Sequence, residues 1–169
     1  SPGVDFVVGT HNISLVPALV QAASRGASPQ VAIDYRDEWE SLPADFDAVP
    51  RAEEENEPAG PYPHLTPPVR ALIAIQRGCA KRCSYCVVPT TRGGEVSRSP
   101  EEIERELRLK VRLGAKEVML LGQTVNSYQH IAGGTTTRLA DLLYQLHAID
   151  GIERLKFVTN YPKDMTYEL

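Results

Sequence analysis

Arg70-Ala71-Leu72-Ile73-Ala74-Ile75-Gln76-Arg77-Gly78-Cys79-Ala80-Lys81-Arg82-Cys83-Ser84-Tyr85-Cys86 is the run that decides how this chain folds. Arg70 to Gln76 reads as a β-strand: a short, mostly apolar run that includes branched residues. The loop that follows leaves the C-terminal end of that strand. In α/β sheets and barrels, ligands bind at that end. Residues 78–86 hold all three cysteines of the 169-residue chain, spaced C-x3-C-x2-C with Tyr85 just before the last.

Three thiolates this close on one loop can hold one metal centre. A structural zinc site is closed by four protein ligands, commonly two cysteine pairs or a pair with histidines. Here a fourth ligand would have to come through the fold from His64 or His130, because none of the four histidines (His11, His64, His130, His147) stands at a knuckle-like spacing. A disulfide fits less well. The count is odd, no secretory signal is visible, and intracellular thiols stay reduced. An iron–sulfur cubane normally takes four thiolates. Three would leave one iron open, and an open position on a metal is a binding site.

The flanks extend the pattern. Gln76-Arg77-Gly78 leads in, and Val87-Val88-Pro89-Thr90-Thr91-Arg92-Gly93-Gly94-Glu95-Val96-Ser97-Arg98 leads out. Leu120-Leu121-Gly122-Gln123-Thr124-Val125-Asn126-Ser127-Tyr128 follows downstream. With the cysteine motif, these segments resemble the radical S-adenosylmethionine (SAM) methylthiotransferases, and within them the branch that acts on tRNA. The Val-Val-Pro and Thr-Arg-Gly runs after Cys86 carry the likeness to that branch.

The resemblance implies that Cys79, Cys83 and Cys86 bind three irons of a [4Fe–4S] cluster, with SAM chelating the fourth. It implies reductive cleavage of SAM to a 5′-deoxyadenosyl radical. It places Tyr85 and the backbone near Val88 against the adenine, and makes Gln123 and Asn126 candidates for polar contacts to SAM. Arg92, Arg98 and Ser97 become candidates for the SAM carboxylate or for RNA phosphates, since an arginine fork suits both. Simpler roles stay open: Tyr85 as loop packing, and Arg92 with Gly93-Gly94 as shapers of the loop.

The reaction implied is methylthiolation at C2 of N6-isopentenyladenosine beside the anticodon. The partners implied are a tRNA anticodon stem-loop and a reductant such as flavodoxin or ferredoxin. A methylthiotransferase for N6-threonylcarbamoyladenosine or for a ribosomal protein is the alternative within the class. A non-catalytic zinc or iron–sulfur RNA-binding module is the alternative outside it. Asn160-Tyr161-Pro162 departs from the Ser/Thr-His-Pro that the family often has.

Composition agrees with a globular protein: 42% of residues are hydrophobic, enough for a core, and no apolar run approaches the ~20 residues of a membrane span. A cytoplasmic monomer is expected. Net charge is −4, so whole-chain charge does not point to nucleic acid. The distribution does. From residue 70 to 98 six cations (Arg70, Arg77, Lys81, Arg82, Arg92, Arg98) face Glu95 alone, a basic rim suited to a polyanion.

The rest of the chain reads outward from the loop. Residues 4–8 form a strand and Gly9 to Asn12 a turn, with His11 satisfying backbone groups. A helix spans 13–24, capped by Asn12 and stopped at Gly26, and a second strand spans 31–35. By resemblance, residues 1–35 are the end of the family's N-terminal domain. Residues 36–68 form an acidic, proline-rich linker that Trp39 and Phe46 pin to a surface: ten acidic residues fall between Asp34 and Glu57. Residues 69–169 are the radical SAM core. It continues with a helix from a Ser99-Pro100-Glu101-Glu102 capping box to Gly114. A strand over 116–121, a loop over 130–137, a helix over 139–149 and a strand over 155–159 follow.

This order predicts an α/β fold with a parallel sheet. By resemblance, the chain is the C-terminal part of a parallel α/β N-terminal domain, then the first half of a partial (β/α)6 barrel. The family's second [4Fe–4S] cluster uses three further cysteines, which these residues do not include. The chain therefore reads as an internal piece of a longer enzyme.

Overall fold

The computed structural model describes residues 3–36, 39 and 69–169. Strand β1 (Phe6–Val8), helix α1 (Val16–Ser24) and strand β2 (Gln30–Ala32) form a β-α-β unit. Its strands are parallel, from Phe6 opposite Gln30 to Val8 opposite Ala32. The second strand expected over 31–35 therefore starts one residue earlier and stops at Ala32. The helix expected over 13–24 splits, with Ile13–Leu15 forming a 3-10 turn ahead of α1. Pro17 falls in the first turn of α1, where no partner for its missing N–H is needed. The cap expected from Asn12 is not made. Its buried amide donates instead to the Asp34 carbonyl at 2.8 Å, so tertiary contact wins over local capping. His11 does serve the backbone: its Nδ1 lies 3.1 Å from the Arg36 carbonyl, and its ring packs 4.5 Å from that of Tyr35.

Most of the expected linker, with Phe46, lies outside the described residues. Trp39 is pinned as expected, with the Arg77 guanidinium 5.5 Å from its ring centre, inside cation–π range.

The second part begins with β3 (Arg70–Ala74), β4 (Gln76–Arg77), helix α2 (Val88–Arg92) and β5 (Val96–Ser97). Helix α3 (Pro100–Arg112), β6 (Glu117–Leu121), β7 (Gln129–Ala132) and β8 (Thr135–Arg138) follow, then α4 (Leu139–His147) and β9 (Arg154–Phe157). Strands β3, β6 and β9 make a parallel sheet in that order. This is the sheet that the alternation of strands and helices predicts. Helices α3 and α4 cover one face. Ile103 and Leu107 of α3 and Leu142 and Leu146 of α4 meet Ile73, Val118 and Leu120 of the strands, all at 0% exposure. Each such side chain contributes about 1.5–3 kcal/mol over leaving it in water. On the opposite face Leu72 remains 52% exposed.

The ends of α3 follow their sequence signals in part. Ser99 Oγ accepts the Glu102 amide at 3.2 Å, with Pro100 in the first turn. The Glu102 carboxylate lies 3.6 Å from Arg98. Gly114, at φ +97, ends the helix, and the Ala115 amide returns to the Lys110 carbonyl at 2.9 Å.

The loop expected over 130–137 is instead an antiparallel hairpin, β7 on β8, running from Gln129 opposite Arg138 to Ala132 opposite Thr135. Gly133 and Gly134, at φ +55 and +79, supply the two positive-φ residues that a tight hairpin turn demands.

At the N-terminal end of the sheet, Glu117 gathers cations from both neighbouring strands, two from β9 and one from β3. Arg154 and Lys156 of β9 lie 3.0 and 2.9 Å away, and Arg70 of β3 is hydrogen-bonded to it. These bonds, from Lys156 above all, hold the Glu117 carboxyl down to about 2.

Candidate metal centre

The cysteine loop starts where the sheet ends. After β3 the chain turns at Ile75, and β4 pairs antiparallel with β5, Gln76 opposite Ser97 and Arg77 opposite Val96. This two-residue ladder closes the base of residues 78–95. Gly78, at φ +71, enters the loop, and a Cβ there would come within 1.9 Å of the Gly94 carbonyl oxygen. Gly93, at φ +69, faces the Tyr35 ring, which a Cβ would strike at under 2 Å. These two positions admit only glycine.

Three further ties fix the loop. The Cys79 amide donates to the Gly93 carbonyl at 3.0 Å. The Ala80 amide donates to the Glu95 carboxylate at 3.3 Å. Lys81 Nζ lies 2.6 Å from the Asp164 carboxylate and 5.3 Å from the centre of the Tyr161 ring, so the loop is bound to the turn after β9. Asp164 raises the Lys81 pKa.

The cysteines differ among themselves. Cys79 is buried, while Cys83 and Cys86 are half-buried, and all three are free thiols. The Cys86 amide closes a turn onto the Cys83 carbonyl at 3.0 Å. Cys79 Sγ lies 3.2 Å from Thr124 Oγ1 and 3.5 Å from the Lys81 amide. Among the described residues no three Cys, His, Asp or Glu side chains are gathered in a metal-holding group. The donor set still fits a cluster by its chemistry: three free thiols on one loop, with Gly78 and Gly93 at its positive-φ positions.

The other candidates separate. Tyr85 stands 91% exposed, so it does not pack the loop. Val88 opens α2, a short helix that the sequence reading did not expect, and Arg92 ends it exposed to solvent. Gln123 Oε1 is buried with no hydrogen-bond partner among the described residues, an acceptor left for something else. Asn126 offers nothing comparable. Its amide donates to the Tyr161 carbonyl at 2.8 Å, and its oxygen accepts the Tyr161 amide at 2.8 Å. Arg98 is 3% exposed, and its guanidinium is held by Glu106 and the Ala74 carbonyl. Tyr128 donates to the Arg98 carbonyl at 2.8 Å from full burial, and that burial raises its pKa.

The basic rim is therefore smaller than six cations. Arg70 sits at the far end of the sheet with Glu117, Arg98 is buried, and Lys81 is paired with Asp164. Arg77 donates to the Arg36 carbonyl at 2.7 Å. Arg82 and Arg92 remain exposed on the loop itself.

Sequence reasoning missed Thr124, Glu95 and Asp164 as parts of the site. Thr124 lies inside the polar strand exit that was read as functional, but its spacing does not single it out. Asp164 is 83 positions from Lys81, and no local pattern joins them. A groove lined by Tyr35, Glu95, Ser97, Gln129 and His130 runs beside the loop, and no cysteine lines it.

Residues 73–168 match the Radical SAM superfamily. The chain is 44% identical over 171 residues to a tRNA-2-methylthio-N(6)-dimethylallyladenosine synthase of Rhodopirellula baltica, covering 100% of this chain and 34% of that protein. It is 40% identical over 168 residues to the synthase of the same name from Geobacter metallireducens, covering 99% and 34%. The counterpart from Bartonella quintana is 39% identical over 173 residues, covering 98% and 33%. The chain thus spans about a third of the length of the curated relatives it matches.

Proposed function

This chain belongs to the radical SAM superfamily, and from that membership we propose that the whole protein is a tRNA methylthiotransferase. The transfer is to C2 of N6-isopentenyladenosine next to the anticodon. One observation carries the reading: the three-cysteine loop opens at the C-terminal end of a parallel β-α-β core, in a chain similar from end to end to synthases of that name.

In this reading Cys79, Cys83 and Cys86 would hold a [4Fe–4S] cluster, with one iron left for SAM. When bound, the pair supplies one-electron cleavage of SAM. The chain's own residues bind and orient. Gly78 and Gly93 let the loop fold close, and Lys81–Asp164 ties it to the exit of β9. Gln123, with its open buried acceptor, suits a polar group of SAM, and Val88 and the exposed Tyr85 suit its adenine. Arg92 and Arg82 offer cations to the phosphates of an anticodon stem-loop. The substrate base must lie unstacked in a loop, as RNA readers require. Asn126 and Arg98 act as supports rather than as ligands.

The proposal extends to the whole protein: a partial (β/α)6 barrel that β3, β6 and β9 begin, and a second [4Fe–4S] cluster on cysteines outside this chain. It includes a flavodoxin or ferredoxin reductant and a cytoplasmic monomer. No helix among the described residues is long and apolar enough to cross a membrane.

The test is complementation. The whole protein is expressed in bacteria that lack tRNA methylthiolation, and their tRNA nucleosides are read by mass spectrometry. Return of 2-methylthio-N6-isopentenyladenosine supports the reading. Return of a methylthiolated threonylcarbamoyladenosine alone, or of no modified nucleoside beside an active control, overturns it.

A further inference from the structure

The three cysteines of the loop are not equivalent, and the difference lies in what touches sulfur. Among the described residues, the hydrogen bonds to a thiol sulfur fall on Cys79: the Thr124 hydroxyl at 3.2 Å and the Lys81 amide at 3.5 Å. Cys79 and Thr124 are 8% and 4% exposed, so water does not compete for their contact. The partners come from different elements, 45 positions apart, one on the cysteine loop and the other at the exit of β6. Thr124 is held there by its own backbone, whose carbonyl accepts both the Ser127 amide at 3.0 Å and the Ser127 hydroxyl at 2.8 Å.

We infer that Thr124 is a positioning residue whose hydroxyl donates to Cys79 Sγ and raises the reduction potential of the cluster held by this loop. The inference rests on the cluster reading above. As a free thiol, Cys79 can be donor or acceptor. As a metal-bound thiolate it carries no proton, so the hydroxyl must donate. A donor to sulfur stabilises the more negative, reduced cluster over the oxidised one, and hydrogen bonds to the sulfurs are among the features that set such potentials. Burial strengthens the effect, because a hydrogen bond in a low-dielectric site is less diluted by solvent. The bond also makes the Cys79 corner distinct from those of Cys83 and Cys86, which are more open to solvent.

The test uses the whole protein, reconstituted anaerobically, as wild type, Thr124→Val and Thr124→Ser. Iron and sulfide are counted, and the midpoint is taken by EPR-monitored titration of the signal that SAM perturbs. Thr124→Val removes the hydroxyl at nearly constant volume, and Thr124→Ser keeps it. The expected result is unchanged iron in both and a lower midpoint in Thr124→Val. At the wild-type midpoint its reduced-to-oxidised ratio falls up to about tenfold, the equivalent of ~59 mV for one electron, while Thr124→Ser stays close to wild type. A Thr124→Val midpoint equal to wild type overturns the inference. A Thr124→Val protein that takes up no iron overturns it too, because Thr124 would then serve assembly rather than tuning. A wild type that takes up no iron at the SAM-responsive site overturns the cluster reading itself, and this inference with it.

Discussion

Asn126 and Tyr161 are joined by two hydrogen bonds that run in opposite directions. The Asn126 amide donates to the Tyr161 carbonyl and its oxygen accepts the Tyr161 amide, both at 2.8 Å. The pair joins the exit of β6 to the exit of β9. It is reinforced by Thr159, whose hydroxyl donates to the Gly122 carbonyl at 2.7 Å and whose carbonyl accepts the Val125 amide at 3.0 Å. A side chain that the sequence offers as a ligand is thus used to hold two loops in register.

Replacing that side chain should loosen the exits. Asn126→Ala removes two bonds made by a buried side chain and leaves the Tyr161 amide without its partner, while the Tyr161 carbonyl keeps the Asp164 amide at 3.0 Å. The expected loss is about 2 kcal/mol of stability, at roughly 1 kcal/mol per bond. Urea denaturation of the whole protein reads it. A loss below ~0.5 kcal/mol would show that the exits are held by something else.

Glu117 should give the protein an acid-sensitive increment of stability. Its folded pKa is about 2 against an ordinary 4.5, lowered by Lys156 first and by Arg70 and Arg154 after it. A depressed carboxyl stabilises the fold above its unfolded value and loses that contribution as pH falls from about 4.5 toward 2. Thermal unfolding of Glu117→Gln should show a flatter acid limb than wild type across that window. Parallel limbs would remove Glu117 from the account.

Each cysteine of the loop should be necessary for the cluster. Cys79→Ala, Cys83→Ala and Cys86→Ala should each lose about four irons per chain relative to reconstituted wild type, as expected for one cubane. They should also lose the spectral response to SAM. Full iron in any one of them would take that residue out of the ligand set.

Gly78 should tolerate no side chain. A Cβ at 1.9 Å from the Gly94 carbonyl oxygen meets backbone rather than a mobile side chain, at a φ of +71 that already disfavours other residues. Gly78→Ala should destabilise by at least ~1 kcal/mol and lower iron loading together. Gly134→Ala is the control: its φ is also positive, but no atom lies within 4 Å of its Cβ. It should lose stability without losing iron.

Much of this was legible in the sequence because the signals are local. The strand from Arg70, the helix begun by Ser99-Pro100 and stopped by Gly114, and the cysteine spacing each need only a dozen residues to be read. The hairpin of β7 and β8 was missed although Gly133-Gly134 stood between the branched residues of its strands. Gln129–Ala132 and the threonine-rich Thr135–Arg138 are mostly exposed and show no apolar alternation. Asn126 reads as a ligand from its place at a strand exit, and Arg98 from its bidentate fork. Their partners, Glu106 and Tyr161, appear only once α3 and β9 have packed. Thr124 is illegible for the same reason: its partner is 45 positions away.

The β4–β5 ladder closes the cysteine loop with only two residue pairs, yet it divides two kinds of constraint. Outside it, a substitution must suit a packed core. Inside it, residues 78–95 form a cassette whose ends are fixed whatever lies between them. Lengthening such a loop costs little, about 0.6 kcal/mol for each doubling. Exposed positions such as Val87 and Thr90 can therefore vary in what they present while the sheet beneath stays as it is. What such positions present is then separable from whether the protein folds, while Gly78 and Lys81 serve both.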